Sequence, residues 1–181
     1  MIRAFLGIDL PAAVRSDLMV QQFLLPLPRK VDPSQFHLTL VFLGEVPEPM
    51  LEAAHEGFLA LRAAPFALAL KGIGHFGGEK PRAVWAGVAP SDPLMRLQAK
   101  AEHIARRAGC PLESRRFRPH VTLGRFSPPP LAEAMQLERA IAQGHGFATA
   151  PWQVNQITLW QSHLGPKGPR YDVLATYPLA E

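Results

Sequence analysis

The 181 residues are 48% hydrophobic and 19% charged, with a formal net charge of +4. That balance suits a soluble globular chain able to bury a core, and it excludes disordered and collagen-like classes. No apolar run reaches the roughly 18–20 residues of a membrane span. A single cysteine, Cys110, excludes an internal disulfide and any multi-cysteine metal site.

In chain order, residues 2–9 (IRAFLGID) read as a buried strand with no signal-peptide character. Pro11 suits the first turn of a helix running to about Leu25, with Val14, Leu18 and Gln21–Gln22 at helical spacing. A strand is expected over Phe36–Leu43, then an amphipathic helix over 48–63. Residues 66–76 read as one long strand and 82–89 as another. Ser91 is the expected N-cap of a helix that stops at Gly109. A strand over 117–126, a helix over 131–143 and strands near 152–162 and 170–179 complete the series.

The two halves of this series resemble each other. IRAFLGIDLPAAVRSDL at the start matches PRAVWAGVAPSDPLMRL at 81–97: Arg-Ala, an apolar strand with a central glycine (Gly7, Gly87), proline, then helix. GIGHFGGEKPR (72–82) likewise matches WQSHLGPKGPR (160–170). The order strand–helix–strand–helix–strand occurs twice. This predicts an α+β fold of two lobes related by a pseudo-twofold axis, with the whole chain, 1–181, as one bilobal domain.

Each half carries one His-apolar-Thr-Leu: His37 and Thr39 in FHLTL, His120 and Thr122 in PHVTL. About 0.2 His-x-Thr pairs are expected by chance from this composition. In a strand, residues i and i+2 share a face, so each histidine and its threonine point the same way while Leu38 and Val121 face a core. Two imidazoles across one cleft can take a proton from a nucleophile and give one to a leaving oxygen. Threonine hydroxyls can donate to phosphoryl oxygens. The basic excess, with Arg106, Arg107, Arg115, Arg116, Arg118 and Arg125 close together, suits a phosphate-bearing partner. His55, His103 and His145 read as surface or boundary residues, and His75 and His163 end the repeated strand without an assigned role. No HExxH, no carboxylate cluster with metal-ligand spacing, no Walker loop and no G-x-S-x-G elbow is present.

Together the paired H-x-T-x motifs, the R-x-F-x-G-I-D-L-P start, HLTLVFLGEV and PHVTLGR resemble the 2H phosphoesterase superfamily, and within it the LigT-type RNA 2′,3′-cyclic phosphodiesterases, also called 2′-5′ RNA ligases. The resemblance implies a bilobal α+β fold with antiparallel sheets around a cleft and helices outside. It implies metal-independent hydrolysis of an RNA 2′,3′-cyclic phosphate end to a 2′-phosphate, without a cofactor, in a cytoplasmic monomer, with 2′-5′ joining as the reverse reaction. By motif position His37 resembles the proton donor to the leaving 3′ oxygen and His120 the base that activates water. Near-symmetry of sequence does not decide between them. Thr39 and Thr122 resemble the phosphate-binding threonines. Arg125, five after His120, and Phe42, five after His37, match positions of the family's substrate-contacting residues. Simple alternation would put both on the wrong face, so a strand end or bulge is required. A 2H enzyme for small cyclic nucleotides or ADP-ribose cyclic phosphate, and a non-catalytic RNA-end-binding module, remain alternatives.

Overall fold

A computed structural model of the chain describes residues 1–166 and 168–180. Among these residues nine strands and four helices follow in order: β1 (Ile2–Asp9), α1 (Ala12–Leu24), β2 (His37–Val46), α2 (Glu48–Leu59), β3 (Phe66–Leu68), β4 (Leu70–Phe76), β5 (Ala83–Val88), α3 (Asp92–Arg107), β6 (His120–Arg125), α4 (Leu131–Gln143), β7 (Trp152–Val154), β8 (Gln156–Gly165) and β9 (Gly168–Pro178). One seven-stranded sheet has the order β4-β5-β6-β2-β1-β8-β9, and β3 pairs with β7 in a second, two-stranded sheet. All these pairings are antiparallel.

The duplicated order of the sequence becomes a twofold arrangement. β2 and β6 meet in the middle of the sheet, and β1 and β5 flank them. The third strands are exchanged: β4, from the first half, pairs with β5 of the second, and β8 pairs with β1. Among the described strands of this sheet, β9 alone has no counterpart.

Local chemistry explains most boundaries. Ser91 caps α3, its hydroxyl accepting from the Leu94 N–H, and Gly109 beyond the last turn takes φ +89°. On α1, Val14, Leu18 and Gln22 form the buried stripe. The strand expected over 66–76 is broken at Ala69 and the one over 152–162 at Asn155, so each half gives three residues to the small second sheet. The strand expected over 117–126 is only His120–Arg125, because residues 110–119 take no regular structure.

The core lies between the helices and one face of the large sheet, with Leu6, Ile8, Leu18, Leu38, Leu43, Val84, Leu94, Leu97, Val121 and Leu123 all essentially inaccessible. The other face of the central strands carries the polar residues of the motifs, in the alternation that a one-sided sheet requires.

Candidate active site

The middle residues of the two motifs set the geometry. Leu38 and Val121 are antiparallel partners, and both are fully buried. One step along antiparallel strands therefore sets His37 across from Thr122, and Thr39 across from His120. The two histidines become diagonal neighbours on one face, a relation that spaces residues by about 7–8 Å. The apolar residues inside the two His-x-Thr motifs are thus where the motif strands of the two halves pair.

The required bulges are present, at the same place in each motif. Along β1, Asp9, Gly7 and Phe5 oppose His37, Thr39 and Phe42, so Leu40 is skipped. Along β5, Gly87, Trp85 and Ala83 oppose His120, Thr122 and Arg125, so Leu123 is skipped. Alternate residues of β1 and β5 share a face, so Phe42 and Arg125 are returned to the histidine face. The burial patterns of the two motif strands agree over six residues: half-buried, buried, half-buried, two buried, then exposed. Two consecutive buried residues, Leu40–Val41 and Leu123–Gly124, are the mark of the bulge.

The second bulge is held from the core. Buried Gln22 of α1 donates through Nε2 to the Leu123 carbonyl (2.8 Å) and the Val31 carbonyl (2.7 Å), and the Val31 N–H also donates to Leu123 O (2.9 Å). The register also shows that Gly7 and Gly87 are not equivalent, despite the sequence match: Gly7 faces Thr39, and Gly87 faces His120. Gly7 answers to packing. A Cβ there would lie 2.5 Å from Leu38 O and 3.2 Å from the Trp160 ring.

Both imidazoles are held by the same device. His37 Nδ1 lies 2.7 Å from the Gln35 carbonyl, and His120 Nδ1 lies 2.6 Å from the Arg118 carbonyl. A carbonyl only accepts, so each Nδ1 carries the proton and each Nε2 is the atom free to exchange one. The segment before His37 is pinned in turn. Arg15 pairs with Asp9 (2.9 Å) and donates to the carbonyls of Pro33 and Phe36, while Gln35 Nε2 donates to Pro169 O.

The surroundings differ. His37 is enclosed by Phe5, Trp160 and Tyr171, with ring centroids at 4.6, 5.8 and 5.2 Å, and its Nε2 lies 3.0 Å from Thr39 Oγ1. Burial drives its pKa from 6.5 to about 4, with a smaller push from His120 and Arg125; the Gln35 hydrogen bond and the Asp9 carboxylate oppose this. His120 rests against Phe76 (5.0 Å) and Trp85 (6.0 Å). Burial lowers its pKa too, and Arg125, Arg115 and Arg118 add to that, against the Arg118 carbonyl.

His37, His120, Thr39, Thr122, Arg125 and Phe42 thus share one sheet face. His75 and His163 do not join them. His75 opposes buried Val84, on the core side of β5, and His163 lies 3.0 Å from Asp172 on the face opposite Trp160 and Tyr171. His55 bonds the Tyr177 hydroxyl (2.7 Å), also away from the cleft. Sequence reasoning missed Phe5, Trp160, Tyr171, Trp85 and Arg3, whose guanidinium sits 4.6 Å over the Phe42 ring. Alternation along the first strand carries the signal for Arg3, Phe5 and Asp9; nothing local signals Tyr171, because it depends on the unmatched β9. Among the described residues no group of three or more His, Cys, Asp and Glu side chains is placed to hold a metal, and no helix is long and apolar enough to cross a membrane.

The chain is similar to known proteins in sequence and fold. The family described as the 2′-5′ RNA ligase superfamily matches residues 11–166. An RNA 2′,3′-cyclic phosphodiesterase of Thermus thermophilus is 34% identical, over 98% of this chain and 90% of its own length. One of Geobacillus stearothermophilus is 33% identical over 86% of this chain, but the match spans only 49% of that relative. The crystal structure of E. coli LigT complexed with 3′-AMP superposes with a TM-score of 0.80 at 29% identity, covering 99% of each chain.

Proposed function

The chain belongs to the 2′-5′ RNA ligase superfamily, and from that premise we propose that it is an RNA 2′,3′-cyclic phosphodiesterase that hydrolyses the cyclic end to a 2′-phosphate by two-histidine acid–base catalysis. The observation that carries this reading is the diagonal pair of imidazoles on one face, each with its Nδ1 proton held by a backbone carbonyl and its Nε2 left for exchange.

The reaction follows from the positions. His120 Nε2 accepts a proton from water as the water oxygen bonds to phosphorus. The P–O3′ bond breaks on the opposite side, and His37 Nε2–H protonates O3′. Thr39, Thr122 and Arg125 donate to the non-bridging oxygens as charge develops there. After turnover His120 holds the proton that His37 has lost, and exchange with solvent resets the pair. A 5′-hydroxyl attacking in place of water joins two ends through a 2′-5′ bond, and that step run backwards cleaves one.

The two histidines have unlike neighbours. Asp9 lies directly across from His37 and favours its protonated form, although Arg15 shares that carboxylate. Gly87 holds the corresponding place across from His120, where Arg115, Arg118 and Arg125 favour the neutral form. Motif position assigns His37 as the acid and His120 as the base, and Asp9 favours the His37 imidazolium against the larger effect of its burial. A bound phosphate anion raises both pKa values and brings His37 into its protonated state. The chain works as a single bilobal unit and as a monomer, and the buried thiol of Cys110 suits a reducing compartment, the cytoplasm.

The test is incubation of EDTA-treated protein with a short RNA ending in 2′,3′-cyclic phosphate. A 2′-phosphate product without added metal supports the reading. A 3′-phosphate product, or turnover only with a divalent cation, overturns it.

A further inference from the structure

Beside the acid–base pair and Arg125 lies one further concentration of charge, two of whose members, Arg115 and Arg118, act on His120. Residues 110–119 run from the end of α3 to β6 without regular structure, and Arg115, Arg116 and Arg118 stand exposed along them. The segment is anchored rather than loose. Phe117 packs against the core between two of the arginines, and the Arg118 carbonyl holds His120. The only carboxylate partner of these three among the described residues is Glu113, 3.4 Å from Arg115, and both members of that pair are about three-quarters exposed. Such a pair holds its cation weakly.

The corresponding segment of the other half differs. Residues 31–36, before His37, contain a 3-10 turn, Pro33–Gln35, capped by Asp32, whose carboxylate accepts from the Ser34 N–H and hydroxyl. No arginine lies in it. Of the two segments that precede the motif histidines, one is a capped turn with an acidic residue and the other carries three exposed guanidinium groups. The fold needs none of those three side chains, since none is buried and none bonds another element among the described residues.

We propose that Arg115, Arg116 and Arg118 form a second phosphate subsite, which holds the phosphodiester backbone on the 5′ side of the cyclic end and gives the enzyme a preference for oligonucleotide over mononucleotide substrates. This rests on the phosphodiesterase reading and names the substrate class of the same cleft. Guanidinium groups suit the task, because each forms paired, charge-assisted hydrogen bonds to phosphate oxygens. Single-stranded RNA brings several phosphates to such a strip, and a mononucleoside cyclic phosphate brings none beyond the one that reacts.

The experiment compares kcat and KM for a tetranucleotide and a mononucleotide, each ending in 2′,3′-cyclic phosphate, in the wild type and in the Arg116→Gln variant. Arg115 and Arg118 are left alone because their charges act on His120. The expected result is that the tetranucleotide's advantage falls about tenfold, through KM, and that the slope of log affinity against log salt becomes shallower by about 0.7 for each phosphate no longer neutralised. Equal losses on both substrates, or no loss on either, overturn the subsite. If the wild type turns over neither substrate, the phosphodiesterase reading fails separately. Anisotropy of the same tetranucleotide then decides the subsite: a shallower salt slope in the variant supports it, and identical slopes overturn it.

Discussion

The two halves of the molecule use one motif in two environments. Around His37 the sheet is aromatic: Phe5, Trp160 and Tyr171 close on the ring, and a carboxylate, Asp9, lies across the strand. Around His120 it is cationic: Phe76 and Trp85 support the ring while Arg125, Arg115 and Arg118 set its field. One source of the difference is topological. β9 adds a seventh strand on one side only and brings Tyr171 over His37. A duplicated framework thus holds two imidazoles in the same way, and unmatched pieces give them unlike surroundings.

The largest expected effects bear on what the halves share. His37→Ala and His120→Ala should each lower kcat by about 10²–10⁴-fold, the usual worth of a positioned acid or base. Unchanged circular dichroism must accompany the loss. Retention of full activity by either variant breaks the equivalence at its root.

Next come the residues five positions after each histidine, which the matching bulges place alike but the chemistry does not. Arg125→Ala should cost about 10²–10³-fold in kcat, as expected for removal of a donor to a charged transition state. Phe42→Ala, at a 38% exposed ring stacked with Arg3, should change kcat/KM by only about threefold, since an exposed cation–π contact is worth about 0.5–1 kcal/mol. Equal effects at the two sites would show that the +5 positions do the same work.

Gln22 gives an intermediate test. Gln22→Leu leaves the Val31 carbonyl without its donor and removes one of two from Leu123, at a cost of about 1–3 kcal/mol in stability. Loosening the bulge at Leu123 should also lower kcat several-fold, and the loss should be small in a background that already lacks Arg125. Additive losses in that double variant would separate Gln22 from the aiming of Arg125.

The pH response compares the two imidazoles directly. In the free protein His37 titrates near 4 and His120 below 6.5, so the kcat/KM bell should lie on the acid side of pH 6.5, and the kcat bell higher because a bound phosphate raises both. Stability carries the same mark. Between pH 6.5 and about 4 the unfolded chain holds the His37 proton and the native chain does not, so stability rises with pH across that window. The change amounts to about 3 kcal/mol for His37. Thermal melts of His37→Phe should lack that part of the acid sensitivity.

Much of the fold and of the site was legible in the sequence, for identifiable reasons. The His-x-Thr pairs were legible because a two-residue period is local, and the buried residues inside them are where the motif strands pair. The helices were legible from periodicity and from caps such as Ser91. Three features were not. The exchange of β4 and β8 between halves depends on pairing, which no local pattern records. The repeat led to a match of Gly7 with Gly87 that the register does not keep, because similar apolar strings can slip by two residues and stay on the same face. The breaks at Ala69 and Asn155 lie inside runs whose composition favours one strand throughout. The bulges were needed by position and are recognisable afterwards in consecutive buried residues, Leu40–Val41 and Leu123–Gly124.

The most direct measurement of the division of labour replaces the leaving O3′ of a nucleoside 2′,3′-cyclic phosphate by sulfur. A thiolate leaves without protonation, so an acid is no longer needed while a base still is. With His37 as the acid and His120 as the base, the sulfur substrate should restore turnover to His37→Ala and not to His120→Ala. Restoration of His120→Ala alone would exchange the roles of the two halves, and failure to restore either would contradict acid catalysis by His37.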